Sequence, residues 1–569
     1  MLKFAVKKRH RSGIAFILTM IILTIIAAFA VALTSLASTS VQITDNRQKA
    51  GSALSAAQSG IDYAKYFAGQ ITEELKASPT YYPVTDSNAN AVWSLLCTRL
   101  NTSSADVVSI KYSDSSKIIT NPISFDSDAN FTLQFSRCAE PNGIIVRSIG
   151  ADGDMTRTIE MKMLITKSGE VLNYAIATQS RMWLTGNSTI HGNIYSSWKY
   201  QNISPFNISR YSTVEGTINT ILTKGTTAGH YDDLYAGSAL MSYHLETLDE
   251  NGNPVYDSSG NKVFNSTDQI QGQCDGINYG VNYGNKAADM PGMKITDYDT
   301  TTYYQATRTT NGGGGDIPYS GSAREYTGDT NSLDSTNGTK YRWEYFPHDA
   351  GNYTTGSGLH VKRYIYKNQA FNNQCLPVSK NALFINCTFE GVLYINCGTT
   401  GSTYNNVRFE DCTFNGPIIT NTPNYSNSTN WWMKNCLYFT GEETFDNQRD
   451  DIPSTILAPN FNVNLGNTNP DSDVENNILT GAIVGGIVDI RGNAEIKGTV
   501  ISMFDTSGYS SGYVSNIGAT LDDGGSETTE SGDIGVINIT PDPTKLLPSG
   551  IKTPIVITPL QDTYSEINS

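Results

Sequence analysis

Six histidines, eight cysteines and 54 carboxylates are the groups in this 569-residue chain that could do acid–base, nucleophilic or metal chemistry. Their spacing decides whether they do. General acid–base hydrolysis needs two titratable groups held together, and the nearest local grouping is Gly229-His230-Tyr231-Asp232-Asp233, which has no further signature around it. No His-Glu-x-x-His occurs, so the spacing of a zinc protease is missing. Asp126-Ser127-Asp128-Ala129-Asn130 and Asp471-Ser472-Asp473-Val474-Glu475 set oxygens at alternate positions, without the glycine at six and glutamate at twelve of a calcium loop. They read as Asx turns. No Cys-x-x-Cys occurs, which excludes zinc-ribbon and thioredoxin-like sites. In an oxidising compartment Cys97 and Cys138 could pair as a structural disulfide, and the alternative is two thiols. The expectation is therefore no catalytic residue, no cofactor and no metal.

The element that must position everything else is the uncharged run Ile14 to Thr34, IAFILTMIILTIIAAFAVALT. At about 1.5 Å per residue it is long enough to cross a hydrocarbon core of about 30 Å. Lys3, Lys7, Lys8, Arg9 and Arg11 precede it. The positive-inside rule then keeps residues 1–13, a basic leader, in the cytoplasm and exports the rest. A secretory signal peptide has the same start but predicts a polar, irregular sequence after the run. Here Ala50, Leu54, Ala57, Ile61, Ala64, Ala68, Ile71 and Leu75 follow at steps of four and three, with no proline before Pro79. One helix over about 14–76 accounts for both halves, apolar all round over 14–34 and one-faced over 35–76.

Lys8-Arg9-His10-Arg11-Ser12-Gly13 before Ile14-Ala15-Phe16-Ile17 resembles a class III prepilin signal, and Ala56-Ala57-Gln58-Ser59-Gly60-Ile61-Asp62-Tyr63-Ala64 resembles a segment of PilX-type minor pilins. The resemblance covers about the first 80 residues. It implies cleavage by prepilin peptidase between Gly13 and Ile14, methylation of the new N-terminus, and assembly with other pilin or pseudopilin subunits from the inner membrane. Major pilins carry Glu at the fifth position after the cut, where this chain has Leu18. That departure is similar to the tip pseudopilin of type II secretion. Without cleavage, residues 14–34 would be a permanent anchor.

Beyond the helix, Gly 50, Tyr 32 and abundant Asn, Ser and Thr indicate strands and turns, and a net charge of -15 argues against nucleic-acid binding. Ala77 to Ala91 reads as a linker broken by Pro79 and Pro83, and Trp93 to Leu100 as a short helical turn. Runs at Val107–Tyr112, Phe131–Phe135, Gly143–Ser148 and Met155–Ile165 read as strands, so residues 77–170 should form a small pilin-like α+β domain.

From about Val171 the chain repeats itself. Gly186-Asn187-Ser188-Thr189-Ile190-His191-Gly192-Asn193-Ile194-Tyr195-Ser196 recurs as Gly492-Asn493-Ala494-Glu495-Ile496-Lys497-Gly498-Thr499-Val500-Ile501-Ser502. Asn386-Cys387-Thr388-Phe389 recurs as Asp411-Cys412-Thr413-Phe414, and more loosely as Asn435-Cys436-Leu437-Tyr438. Short strands at such a period indicate a stacked solenoid. The repeats resemble the right-handed parallel β-helix of pectate-lyase-like proteins. That implies an inward ladder of Cys387, Cys412 and Cys436 beside Phe389, Phe414 and Tyr438. The acid–base signatures of the pectin-cleaving members are not assembled here.

The expected fold is mainly β: a long N-terminal transmembrane α-helix, a small pilin-like α+β domain, then a right-handed parallel β-helix. It would have first rungs at 171–200, a loop-rich insertion at 201–374, rungs at 375–505 and a C-terminal β cap at 506–569. Tyr303, Tyr304, Tyr341, Trp343, Tyr345 and Phe346 in the insertion are either a contact surface for a glycan or surface ligand, or a cover for the solenoid. The expected function is a minor or tip subunit of a type IV pilus or type II secretion pseudopilus. The alternatives are an anchored adhesin outside any pilus and an envelope enzyme acting on polysaccharide.

Overall fold

The computed structural model describes residues 12–75, 84–102, 109–138, 142–184, 187–198, 205–208, 213–221, 258, 281–282, 284, 292–309, 314–346, 359–397, 405–422, 431–441, 443–445, 456–466, 477–491, 494–504, 514–517, 536–542 and 548–567. Most of the leader, residues 77–83 of the expected linker, His230, Asp232, Asp471, Asp473 and the acidic loop around Asp522 lie outside the described residues. The chain divides into two compact units, one holding the N-terminal helix with residues 84–166 and 555–569, the other residues 167–554.

In the first unit, helix α1 runs unbroken over Ser12–Leu75. Its apolar half is bare, with Ile14 77%, Phe16 65% and Leu18 57% exposed. The threonines on it do not leave a hydroxyl unpaired: Thr24 and Thr34 donate to the carbonyls of Met20 and Ala30 at 3.0 and 2.7 Å. That is how a helix carries hydroxyls in an apolar medium. From Ala53 onward one stripe is buried, Ala56, Ala57, Ile61, Ala64, Ala68 and Ile71 packing on Phe131, Leu133, Val146 and Met161. The approach is close because the contact residues are small. A Cβ on Gly60 would collide with Ser148, and one on Gly150 with the backbone of Ala53 and Ala57.

A second helix, α2, spans Asp86–Thr102. It starts inside the stretch expected to be linker, because the amide of Asn88 bonds the Thr85 hydroxyl and Ala89, Val92, Trp93, Leu96 and Leu100 form one buried face. The sheet below runs Ile110–Ser113, Lys117–Thr120, Ala129–Arg137, Gly143–Asp152, Met155–Lys167, and then Ile555–Ile567. This last strand corrects the expectation of a C-terminal cap on the rungs. Ile555 and Ile557 are buried in the first unit's core, and the Lys162 amide bonds the Thr563 hydroxyl at 2.9 Å. The second unit is thus an insertion between two neighbouring strands of one sheet. Its ends meet, the amide of Ser168 donating to the carbonyl of Pro554 at 2.8 Å.

The second unit stacks short strands in parallel. Leu359–Lys367, Asn381–Ile385, Asn406–Glu410 and Cys436–Thr440 form one ladder. Ala370–Phe371, Thr388–Phe389, Thr413–Phe414 and Thr444–Phe445 form a second. Gln374–Leu376, Leu393–Ile395, Ile418–Thr420 and the start of Ile456–Gly466 form a third. Two aromatic columns fill the interior. Phe371, Phe389, Phe414 and Phe445 stack at 5.3, 5.0 and 5.0 Å, and Tyr366, Phe384, Phe409 and Phe439 at 5.0, 5.5 and 4.9 Å. Rings of one column meet those of the other near edge-on, the favoured arrangement.

Between first and second ladders the chain turns through a left-handed residue in each coil: Asn368, Asn386, Asp411 and Gly441, with φ of 56°, 46°, 54° and 81°. This explains the Asn-Cys and Asp-Cys pairs. The first residue tolerates the turn, and the next points its sulphur inward, Cys387 and Cys412 both being buried. Cys436 does not continue that ladder. Its strand pairs Asn406 with Cys436, and the turn equivalent to Asp411-Cys412 falls at Gly441 and Glu443, whose carboxylate accepts from the Cys412 amide at 2.9 Å. The chain takes 31 residues from Phe414 to Phe445 against 25 from Phe389 to Phe414, the excess holding the short helix Trp431–Lys434. Phe445, not Tyr438, follows Phe414 in the column.

The two copies of the Gly-Asn repeat come together although about 300 residues separate them. Ile539 pairs with Ile496 on one side and Ile190 on the other, and Ile176 lies between Val500 and Ile194. The first strands of the unit therefore stack directly on its last ones, in the interior of the pile.

Candidate contact surface

The sequence-derived processing position is on α1: Gly13 and Ile14 lie in its first turn, exposed, and among the described residues no side chain packs over Gly13. Among the described residues α1 alone is long and apolar enough to cross a membrane, and its most apolar window is not covered by any other part of the chain. The proposed Cys97–Cys138 disulfide is not formed. Cys97 is a half-buried thiol against the first unit's core, and Cys138 sits where its strand ends, its amide bonding the Gly143 carbonyl at 3.1 Å.

Charged groups of both signs do gather on the stack, around Glu344. Its carboxylate takes two bonds from Arg408, at 2.8 and 3.1 Å, and one from Arg363, which also reaches Asn406. Burial alone would push the Glu344 carboxyl up, but Arg408 and then Arg363 hold it down at about 2. The side chains of Glu344, Arg363 and Arg408 are all buried. They form a sealed ion network, and each charge has a partner.

The same hairpin, Thr336–Phe346 against Leu359–Lys367, turns its other face outward. Strand alternation divides the two. Glu344, Phe346, Val361 and Arg363 point to the sealed side. Tyr341, Trp343, Tyr345, His360, Lys362 and Tyr364 share the opposite one, with Trp343 and His360 exposed. The His360 ring stacks on Tyr345 at 4.7 Å and meets Trp343 at 4.6 Å. Lys362 stands 3.8 Å over the Tyr341 ring, and Lys380 stands 4.1 Å over Tyr319, which packs on Tyr364 at 5.3 Å. The result is a continuous strip of rings interleaved with single ammonium groups. Tyr303 and Tyr304 are different: they pack on the outer face of the third ladder, Tyr304 against Tyr394 at 5.3 Å, and serve as cover.

Of this strip the aromatic members Tyr341, Trp343 and Tyr345 were legible in the sequence, whereas His360, Lys362, Lys380 and Tyr319 were not. The alternation in LHVKRYIYK was the available signal for His360 and Lys362.

No family model and no curated protein matches the chain. Among solved structures, the competence-associated pilin ComZ from Thermus thermophilus is similar over 91% of this chain and 97% of its own, at 10% identity and a TM-score of 0.22. A superposition that loose establishes neither a shared fold nor a shared role, so function must be argued from this chain's own residues.

Proposed function

We propose that the chain is a membrane-anchored, pilin-like subunit, a minor or tip component of a type IV pilus or type II secretion pseudopilus, that displays a large exported β-domain. One observation supports it above the rest: α1 is a single 64-residue helix, bare and apolar in its first half and seated by small residues on an antiparallel sheet in its second. Such a helix suits two environments. Each large apolar side chain is worth about 1.5–3 kcal/mol when removed from water, whether into lipid or into a bundle of like helices. Transfer from one to the other is then nearly neutral for the apolar surface. The absence of a carboxylate at Leu18 fits a subunit with nothing stacked above it.

The stacked second unit is read as a right-handed parallel β-helix, the hand expected where parallel strands are joined by crossovers. The role is structural and not enzymatic. In support, the one mixed-charge cluster on the described part of the stack is sealed and mutually neutralised.

The test is the N-terminal sequence and mass of the protein recovered from its native membrane. A start at methylated Ile14 is expected. An intact Met1, or a cut beyond Thr34, would remove the pilin mechanism and leave an anchored or secreted β-protein.

A further inference from the structure

We propose that the outward face of the 336–346/359–367 hairpin is a binding surface for an anionic polysaccharide, its charges phosphate or carboxylate. The inference does not depend on whether the chain enters a fibre. Three features of the face carry it.

First, aromatic rings and lysines alternate on this face, on a chain of net charge -15. Among the described residues Lys362 and Lys380 have no carboxylate within ion-pair distance. Glu325 accepts from the Tyr341 hydroxyl at 3.5 Å. Their charges are held over rings, Lys362 over Tyr341 and Lys380 over Tyr319, and stay available to an outside anion.

Second, the rings match pyranose units. Trp343 is exposed and fixed against His360, giving a rigid apolar platform for the C–H face of a sugar at low entropic cost. Register fixes the spacing, since Trp343 lies directly across from Lys362.

Third, the cations are all of one kind. The hairpin's two arginines, Arg342 and Arg363, fall on the sealed side, where both lie against Glu344. Both guanidinium forks are engaged by Glu344, while an ammonium acts as a point charge that takes a phosphate or a carboxylate. Two lysines separated by rings also suit a polymer whose charges are spaced by sugars, and not a nucleic acid, which needs a dense track of cations.

The experiment uses the full-length chain in detergent, passed over immobilised phosphomannan, dephosphorylated mannan, polygalacturonate and a single-stranded oligonucleotide. Retention on phosphomannan and on polygalacturonate is expected, weakening as salt rises. Lys362→Gln with Lys380→Gln, and separately Trp343→Ala, should each weaken it about tenfold or more while leaving the melting midpoint in place. Lys380→Gln alone is the safeguard if the others perturb folding, and should still lower retention measurably. The proposal is overturned by no retention on phosphomannan or polygalacturonate, by equal retention on dephosphorylated mannan, by preference for the oligonucleotide, or by folded variants that bind as the parent does.

Discussion

Glu344 and Arg408 are 64 positions apart in sequence and joined by a two-pronged ion pair, Oε1 to Nη2 at 2.8 Å and Oε2 to Nε at 3.1 Å, with neither side chain exposed. The pair ties the terminal hairpin to the third strand of the first ladder. It does so with charge alone, so its strength depends on pH.

Because the Glu344 carboxyl is held down at about 2 in the fold, against an ordinary carboxylate value of 4.5, its contribution is complete above the ordinary value. It is lost as pH falls toward 2. The shift corresponds to about 3 kcal/mol. Glu344→Gln should destabilise the second unit by about 3–5 kcal/mol at neutral pH, since it strands two buried guanidinium groups. It should also flatten the acid limb of stability against pH. Urea unfolding between pH 2 and 7 checks both; a variant with the parent's acid limb would refute the assignment.

Glu443 has the opposite sign. Burial first, and then Asp411 and Glu410, push its carboxyl well above the usual range despite the Cys412 amide. Its Oε1 is buried with no partner among the described residues. The fold therefore favours the protonated form, and stability falls as pH rises above the ordinary carboxylate value. Glu443→Gln should be neutral or stabilising at pH 7 to 8 and remove that fall. Melting curves over pH 5 to 8 show it directly, and a loss of stability at pH 8 would count against it.

Phe414 stacks between Phe389 and Phe445 at 5.0 Å on both sides and meets Phe409 and Phe439 edge-on. Phe414→Ala should cost about 3–5 kcal/mol. Tyr438→Ala, outside that column, should cost less. Chemical denaturation of the two variants side by side separates the observed column from one through Tyr438.

Two glycines on α1 separate packing from propensity. Gly51 has nothing within reach of an added Cβ, whereas Gly60 faces Ser148 and Phe131. Gly51→Ala should stabilise the first unit by up to about 1 kcal/mol. Gly60→Leu should destabilise it by about 1–3 kcal/mol or more through overpacking. Protease susceptibility of the full chain in detergent reads both; equal effects would mean that the helix does not seat as described.

Local patterns were legible without the structure. The four-and-three stripe from Ala50 to Leu75 specified a helix because helical neighbours are sequence neighbours, and the uncharged run before it specified an apolar surface all round. The Asn-Cys-Thr-Phe repeat marked a recurring turn and an inward ring for the same reason: each coil's geometry is set within about five residues. What the chain alone did not decide is everything that depends on which distant segment lies alongside. Ile555–Ile567 could have capped the rungs or joined another sheet, and its β pattern is the same in either case. Asn435-Cys436 resembles the turn pair, yet the longer excursion before it moves the real turn to Gly441. The Gly-Asn repeats identified two similar strands, but only tertiary pairing brings Ile190 and Ile496 to either side of Ile539. The division of the hairpin into a sealed ionic face and an open aromatic one was likewise tertiary. Alternation separates odd from even residues, and only the neighbour that packs against one set decides which becomes the surface.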